Sequence, residues 1–239
     1  MKNIYKRISI KLSGEALADK EDGTILDREK LKGVANVIKD VMATGTQIGL
    51  VVGAGNIWRG RLASKIGIES SVADYMGMLG TIMNALAVQS ALEEIGIRCR
   101  VMSAINVPQV CEPYIRRKAM HHMDKGIVTI FAGGTGNPYF TTDSCASLRA
   151  LECGCDAILM GKNGVDGIYD DDPRVNKNAK IIEEISFREL LERKLGVMDL
   201  TAAALLENKG LKIHVFDMGK PENLVRILTG EKVGTVVKD

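Results

Sequence analysis

Aromatic residues are scarce in this chain: 4% of 239 residues, with a single tryptophan. Its core must therefore be built from aliphatic side chains and the 11 methionines. The five cysteines (Cys99, Cys111, Cys145, Cys153 and Cys155) are odd in number and lack framework spacing, so no disulfide scaffold is expected. No run of about 18 apolar residues occurs, which excludes a helical membrane span. The opening residues MKNIYKRISIKLSGEAL carry no signal-peptide apolar region or cleavage site, so reduced thiols in the cytoplasm are the expectation. The net charge of +2 is too small to mark nucleic acid as the main partner. Several catalytic signatures are missing as well. There is no G-x-x-x-x-G-K-[ST], no H-R-D or D-F-G, no G-x-S-x-G elbow, and no zinc-ligand spacing around His121, His122 or His214.

What remains is an ordinary globular composition, 46% hydrophobic and 26% charged. One large domain or two small ones fit this length, and a compact chain of this mass buries roughly 72% of its extended surface. No metal or disulfide staple is then needed.

Short aliphatic runs alternate with helical patterns. Strands are expected at 5–12, 46–52, 97–102, 127–131, 156–160, 211–216 and 235–237. Helices are expected at 27–43, 71–94, 114–123, 144–153, 186–193, 198–209 and 222–229. Asp27 caps the first and Gly96 ends the second. The long helix carries an apolar stripe of Val72, Met76, Leu79, Met83 and Leu86, which fits either core packing or subunit contact. Gly77 and Gly80 would allow close approach of a neighbour. Strand–helix alternation predicts an α/β fold with a mostly parallel sheet covered on both faces.

In such sheets ligands collect at the carboxyl ends of the strands, and four loops there are unusual. Lys11-Leu12-Ser13-Gly14 ends the first strand with a point charge and a glycine through which backbone amides can approach an anion. A solvated edge lysine is the alternative. The second loop, GAGNIWRG (53–60), joins Gly53, Gly55 and Gly60 to the forked cation of Arg59. It is not G-x-G-x-x-G, and a plain tight turn is the alternative. The third, AGGTGNPYFTTDSCAS (132–147), enters a helix that Thr142 or Asp143 could cap, which directs amides at an anion. The fourth, MGKNGVDGIYDDDPR (160–174), begins with Lys162 at a strand end. It adds Tyr169 as a flat face and Asp172-Pro173 as a turn. Two lysines, an arginine, three glycine-rich loops and a helix N-terminus form an anion-collecting edge, the equipment of phosphoryl transfer. Cys145 in a first helical turn could have a lowered pKa, but no base partner is evident and packing is preferred. Cys153 and Cys155 read as buried thiols.

The segments KLSGEAL, GAGNIWRG, DYMGMLGTIMNAL, GTGNPYFTTDSCASLRA, NGVDGIYDDDPR, MDLTA and KPENL…GEKVGT resemble, in order and over nearly the whole chain, the uridylate-phosphorylating branch of the amino acid kinase family. The resemblance implies a three-layer α/β/α sandwich forming one domain over 1–239, with 1–155 mainly acceptor-binding and 156–239 mainly donor-binding. It implies a homohexamer and transfer of the ATP γ-phosphoryl to UMP, with Mg²⁺ carried on ATP. Lys11, Leu12, Ser13, Gly14, Gly55, Arg59, Asn163, Tyr169 and Asp172 would bind ATP. Ala54, Asp74 (on the ribose), Thr135, Gly136, Asn137, Pro138, Tyr139, Phe140, Thr141 and Thr142 would bind UMP. Lys11, Asp143 and Asp199 would be catalytic, with Lys162 a looser match. UTP would be a feedback inhibitor at the UMP site. Ala54 replaces a glycine common in the family's second loop, harmless if its φ is negative. The segment ADKEDGTILD lacks the glycine-rich, phenylalanine-containing stretch tied to GTP activation in some members. The alternatives are a carboxylate or carbamate kinase on this fold and a non-catalytic nucleotide-storage module.

Overall fold

The computed structural model describes residues 3–19, 21–162, 164–171, 173 and 175–239, with the side chain of Arg61 left aside. Asn163 and Asp172, expected at the donor site, lie outside these residues. The strands are β1 (Arg7–Leu12), β2 (Gln47–Val52), β3 (Cys99–Ser103), β4 (Glu112–Pro113), β5 (Val128–Ala132), β6 (Ala157–Lys162), β7 (Ile168–Tyr169), β8 (Ile181–Ile182), β9 (Glu184–Ser186), β10 (Lys212–Asp217) and β11 (Thr235–Lys238). The helices are α1 (Arg28–Ala43), α2 (Ser70–Glu94), α3 (Arg116–Asp124), α4 (Thr142–Cys153), α5 (Phe187–Glu192), α6 (Leu200–Leu206) and α7 (Glu222–Leu228). Short 3₁₀ segments cover Gly14–Leu17 and Gly60–Ile66.

Nine of these strands form one sheet in the order β4-β3-β5-β2-β1-β6-β10-β11-β9; β7 and β8 pair separately. Every pairing in the large sheet is parallel except β10 with β11. Helices α1, α2 and α7 cover one face, packing Val34, Ile38, Leu92 and Leu224 on Ile8, Ile10, Leu50 and Leu159. Helices α3 to α6 cover the other, where Ala150, Phe187, Leu190 and Ala203 meet Ile158, Met160, Ile213 and Val215. This is the expected three-layer sandwich. Asp27 caps α1 by accepting the Lys30 amide at 2.8 Å.

β1 lies at the centre, paired to β2 on one side and β6 on the other. Its alternation sends Ile8, Ile10 and Leu12 into the α1–α2–α7 layer and Arg7, Ser9 and Lys11 toward α4. α4 runs back along that second face. Lys11 meets Asp143 in its first turn, and Arg7 donates to the Cys153 carbonyl at its last. Arg7 also holds Gln47 and Asp124. A parallel strand covered on both faces can still carry the two charged side chains Arg7 and Lys11, because its neighbours supply their partners, whereas the buried Ser9 hydroxyl has none.

Two sequence expectations change here. The long helix buries Ala73, Met78, Thr81, Ile82, Asn84, Ala85, Val88 and Leu92 instead of the expected stripe. Val72, Leu79 and Met83 are about half exposed. Apolar residues on two faces of this 25-residue helix competed for burial, and the face carrying more small residues won the close contact with the sheet. Gly77 and Gly80 face the chain's own second loop: a Cβ on Gly80 would stand 2.9 Å from Ala54 Cβ, and one on Gly77 3.7 Å from Trp58. The other change is at α6, which is shorter than 198–209 because Asp199 caps it and it ends before Asn208, whose φ is +60°.

Burial also sets several titrations. Cys99 and Cys145 are pushed up to about 11, and Cys153 and Cys155 are raised, each chiefly by desolvation. Cys145 is completely buried, in line with the packing role preferred for it, and burial outweighs any acidification by its helix end. His214 of β10, hydrogen-bonded to the Tyr5 hydroxyl at 2.8 Å, is lowered to about 4 by burial and, secondarily, by Lys212. The unfolded chain therefore takes up this proton first as pH falls. Stability present above pH 6.5 should fall progressively to pH 4, by up to about 3 kcal/mol. Thermal unfolding of His214→Gln should show a shallower loss over this window. Identical slopes for both proteins would contradict the assignment.

Candidate functional site

The carboxyl ends of β1, β2, β5 and β6 converge on one rim. The chain leaves β1 toward β2 and reaches β6 on the opposite side, which opens a crevice between the two departures. Lys11 and Lys162 sit at its two walls. Lys11 Nζ lies 2.7 Å from Asp143 Oδ1, and Lys162 Nζ 4.0 Å from Asp143 Oδ2. All three side chains are largely buried. Desolvation lowers the Lys162 pKa and nearby Lys11 lowers it further, while Asp143 and Asp199 oppose the shift.

The helix behind them is capped by Thr141, not by Thr142 or Asp143. The Thr141 hydroxyl accepts the amides of Asp143 and Ser144 at 3.1 and 3.3 Å. That leaves the Asp143 carboxylate free to face the lysines. Thr141 also donates its hydroxyl proton to Asp199, which accepts from Ser144 Oγ at 3.1 Å and from the Ala202 amide at 2.7 Å. Asp199 thus ties the N-termini of α4 and α6 together.

The first loop turns sharply after Lys11. Gly53 donates its amide to the Leu12 carbonyl at 2.9 Å, and the Ser13 hydroxyl accepts the Glu15 amide at 3.3 Å. Gly14 is irreplaceable there: a Cβ would collide with Asn56 Oδ1 and the Gly53 carbonyl oxygen, with Asn84 Nδ2 2.9 Å away. Buried Asn84 organises the second loop, donating to the Gly53 carbonyl at 2.7 Å and to Asn56 Oδ1 at 2.8 Å. Arg59 turns back to Glu15 and to the Gly55 carbonyl. Ala54 is not among the described residues with positive φ, so its methyl is accommodated as expected.

A cavity of about 220 Å³ lies over β2 and β5. Of the expected acceptor residues, Ala54, Asp74, Thr135, Asn137, Phe140, Thr141 and Thr142 line it. Gly136, Pro138 and Tyr139 lie on the same loop without lining it. Tyr139 is three-quarters exposed at φ +70°, and its amide donates to Asp74 Oδ2 at 2.7 Å. Gly55, expected on the donor side, also lines this cavity. Trp58, Thr81, Phe131 and Cys145 complete it, and sequence reasoning missed them as site residues. Trp58 alone carried a signal, as the chain's lone tryptophan inside a glycine-rich loop.

A second hollow of about 730 Å³ lies between the segment after β1, helix α1 and the turn after β10, bordered by Glu15, Ala16, Lys30, Gly164, Met218 and Pro221. Neither Lys11 nor Lys162 lines either hollow. Tyr169 lies on the β7–β8 hairpin and donates its hydroxyl to Asp166 at 2.6 Å. Among the described residues, no hydrogen bond or ion pair joins it to the Lys11 cluster. The described residues also hold no group of three or more His, Cys, Asp or Glu able to take a metal.

The rim thus brings two lysines, a carboxylate and a helix N-terminus together at the carboxyl edge of a parallel α/β sheet. The comparisons give this class its family. Residues 6–217 match the model of the amino acid kinase family, and the chain belongs to that family. It is 54% identical over 233 residues to a uridylate kinase of Rubrobacter xylanophilus, covering 97% of this chain and 91% of that one. It is 48% identical over 234 residues to a uridylate kinase of Limosilactobacillus reuteri, with 98% and 97% coverage. Among solved structures it resembles the UMP kinase of Bacillus anthracis (TM-score 0.95, 42% identity, 98% and 96% coverage) and that of Ureaplasma parvum (TM-score 0.92, 40% identity, 98% and 99% coverage).

Removing one partner of a largely buried ion pair costs more than replacing both. Asp143→Asn should lower stability in urea titration by about 2–4 kcal/mol, and Lys11→Met in the same chain should restore most of that loss. Strictly additive effects would contradict the pairing.

Proposed function

We propose that this chain is a uridylate kinase, transferring the γ-phosphoryl of ATP to UMP to give UDP and ADP. The observation that carries this reading is the Lys11–Asp143–Lys162 cluster at the carboxyl rim, in a chain about half identical to uridylate kinases. UMP would occupy the cavity over β2 and β5, with Asp74 meeting the ribose and the 135–142 loop wrapping base and phosphate. ATP would lie across Lys11 to Gly14, Gly55 and Arg59, its nucleoside toward Tyr169 and toward Asn163 and Asp172. The 1–155 half would then serve mainly the acceptor and the 156–239 half mainly the donor. UTP, sharing the uridine of UMP, would compete for the same cavity.

In this mechanism the UMP phosphate oxygen attacks the γ-phosphorus of ATP as the bond to the β–γ bridging oxygen breaks. The bridging oxygen leaves with ADP and the phosphoryl group passes to UMP. Charge spreads over the equatorial oxygens, and Lys11 and Lys162 stand where they neutralise it. Asp143 keeps the two ammonium groups together before nucleotide arrives. Asp199 fixes the capped end of α4, whose amides point at the same rim. Mg²⁺ would travel with the triphosphate as part of that substrate; both aspartates are already engaged by lysines, hydroxyls and an amide.

A carboxylate kinase or a storage module would share the fold, but neither accounts for identity to uridylate kinases over nearly the whole chain. A coupled ADP-release assay should show turnover with UMP well above CMP, AMP and GMP. Lys11→Ala should lower kcat by about 100-fold or more while changing UMP KM little, because its charge is needed most in the transition state. Turnover without preference for UMP, or an unchanged kcat in Lys11→Ala, would contradict this assignment.

We further propose a homohexamer whose subunits meet through the outer face of α2, where Val72, Tyr75, Leu79 and Met83 lie at helical spacing and are 44–50% exposed. Light scattering should return six chain masses, and Leu79→Lys should lower the mass. A single-chain mass for the unmodified protein would end this proposal.

A further inference from the structure

Gly133 and Gly134 form the root of the loop that runs to Thr142, and both are left-handed, at φ +71° and +58°. The root is tightly packed: a Cβ on Gly133 would stand 2.7 Å from Ser103 Oγ and 3.0 Å from the Ile105 amide nitrogen. Each glycine is gripped by a different helix, and the two helices belong to opposite layers of the sandwich. From α2, the Thr81 hydroxyl accepts the Gly133 amide at 2.9 Å while donating its own proton to the Met78 carbonyl at 2.6 Å. From α4, Arg149 and Cys145 donate to the Gly134 carbonyl at 3.4 and 3.2 Å. Arg149 is itself held, 4% exposed, by Glu152 at 2.6 Å and by the face of Tyr114 at 3.8 Å.

The hydroxyl of Thr81 has one proton, and the turn of its own helix takes it. It can therefore meet the loop only as an acceptor, and the buried Gly133 N–H is the group it accepts. This bond links a rigid 25-residue helix to the start of the loop. A loop root fixed from both layers cannot slide along the rim, so its distance from Lys11 is set before any ligand arrives. Thr81 also borders the cavity that the loop encloses.

We infer that Thr81 is a positioning residue for the phosphate acceptor. By holding the Gly133 amide it fixes the 135–142 loop over the acceptor cavity, and Arg149 is its counterpart from the opposite layer. The inference rests on the reading of that cavity as the UMP site.

The test compares Thr81→Val, which keeps the shape but cannot accept a hydrogen bond, with Thr81→Ser, which keeps the acceptor. Steady-state rates with UMP and ATP varied in turn, UMP binding followed by Trp58 fluorescence, and the thermal midpoint are measured on each full-length protein. Thr81→Val should raise UMP KM about tenfold or more and weaken UMP binding in parallel, as expected for leaving a buried N–H unpaired. Its ATP KM should stay within about twofold, and Thr81→Ser should lie within about threefold of the unmodified chain in every constant. Unchanged UMP affinity in Thr81→Val overturns the inference. So does an equal rise in both KM values, the mark of general loosening. If Thr81→Val does not fold, Arg149→Lys reads the loop from the other layer. It should raise UMP KM and spare ATP KM, and an unchanged UMP KM there overturns the inference equally. Absence of UMP turnover by the unmodified chain would instead overturn the functional reading, so the two failures are distinct.

Discussion

Two ammonium groups brought together under protein cover repel each other unless an anion stands between them. Asp143 is that anion, 2.7 Å from Lys11 and 4.0 Å from Lys162. Desolvation lowers the Lys162 pKa against the pull of Asp143 and Asp199, so a further anion beside it would favour its charged form. In the proposed reaction an arriving triphosphate would be that anion. The rest of the architecture serves to hold those three side chains in place.

That service begins in β1. Alternate side chains of one strand face opposite layers, so Lys11 reaches α4 only because Arg7 and Ser9 face the same way. α4 descends from Asp143 at the rim to Cys153 at the opposite end, where Arg7 holds it. Thr141 caps the upper end and Asp199 anchors the cap. The glycine-rich loops come from neighbouring strands, and α2 holds two of them through the buried polar pair Thr81 and Asn84. One helix thus sets the spacing of the second and third loops, and its other face remains apolar and exposed.

Most of the fold was legible in the sequence because its strands are short aliphatic runs separated by patterned helices. Seven strands and seven helices appear where periodicity placed them, shifted by one to three residues at their ends. The two-residue strands β4, β7 and β8 and the three-residue β9 were missed, since so few residues carry no period. The stripe on α2 was left open between core packing and subunit contact because both of its faces are apolar, and only tertiary packing separates them. At the rim, Lys11 and the loop 135–142 were readable from residue type and strand-end position. The cap at Thr141 was placed one or two residues late, because Thr141, Thr142 and Asp143 are all competent caps. Thr81, Asn84 and Arg149 left no signal, for a polar residue buried against a distant loop looks like any other helical polar residue until the chain is folded.

The central claim is that both nucleotides meet across one continuous rim with the lysine pair between them. A bisubstrate analogue that joins adenosine to uridine through a chain of phosphates tests this most directly. Calorimetric titration should show one analogue bound per chain, with an affinity well above that of UMP or ATP alone, and either nucleotide should displace it. An analogue that competes with only one nucleotide, or binds no more tightly than the better of the two, would contradict the account.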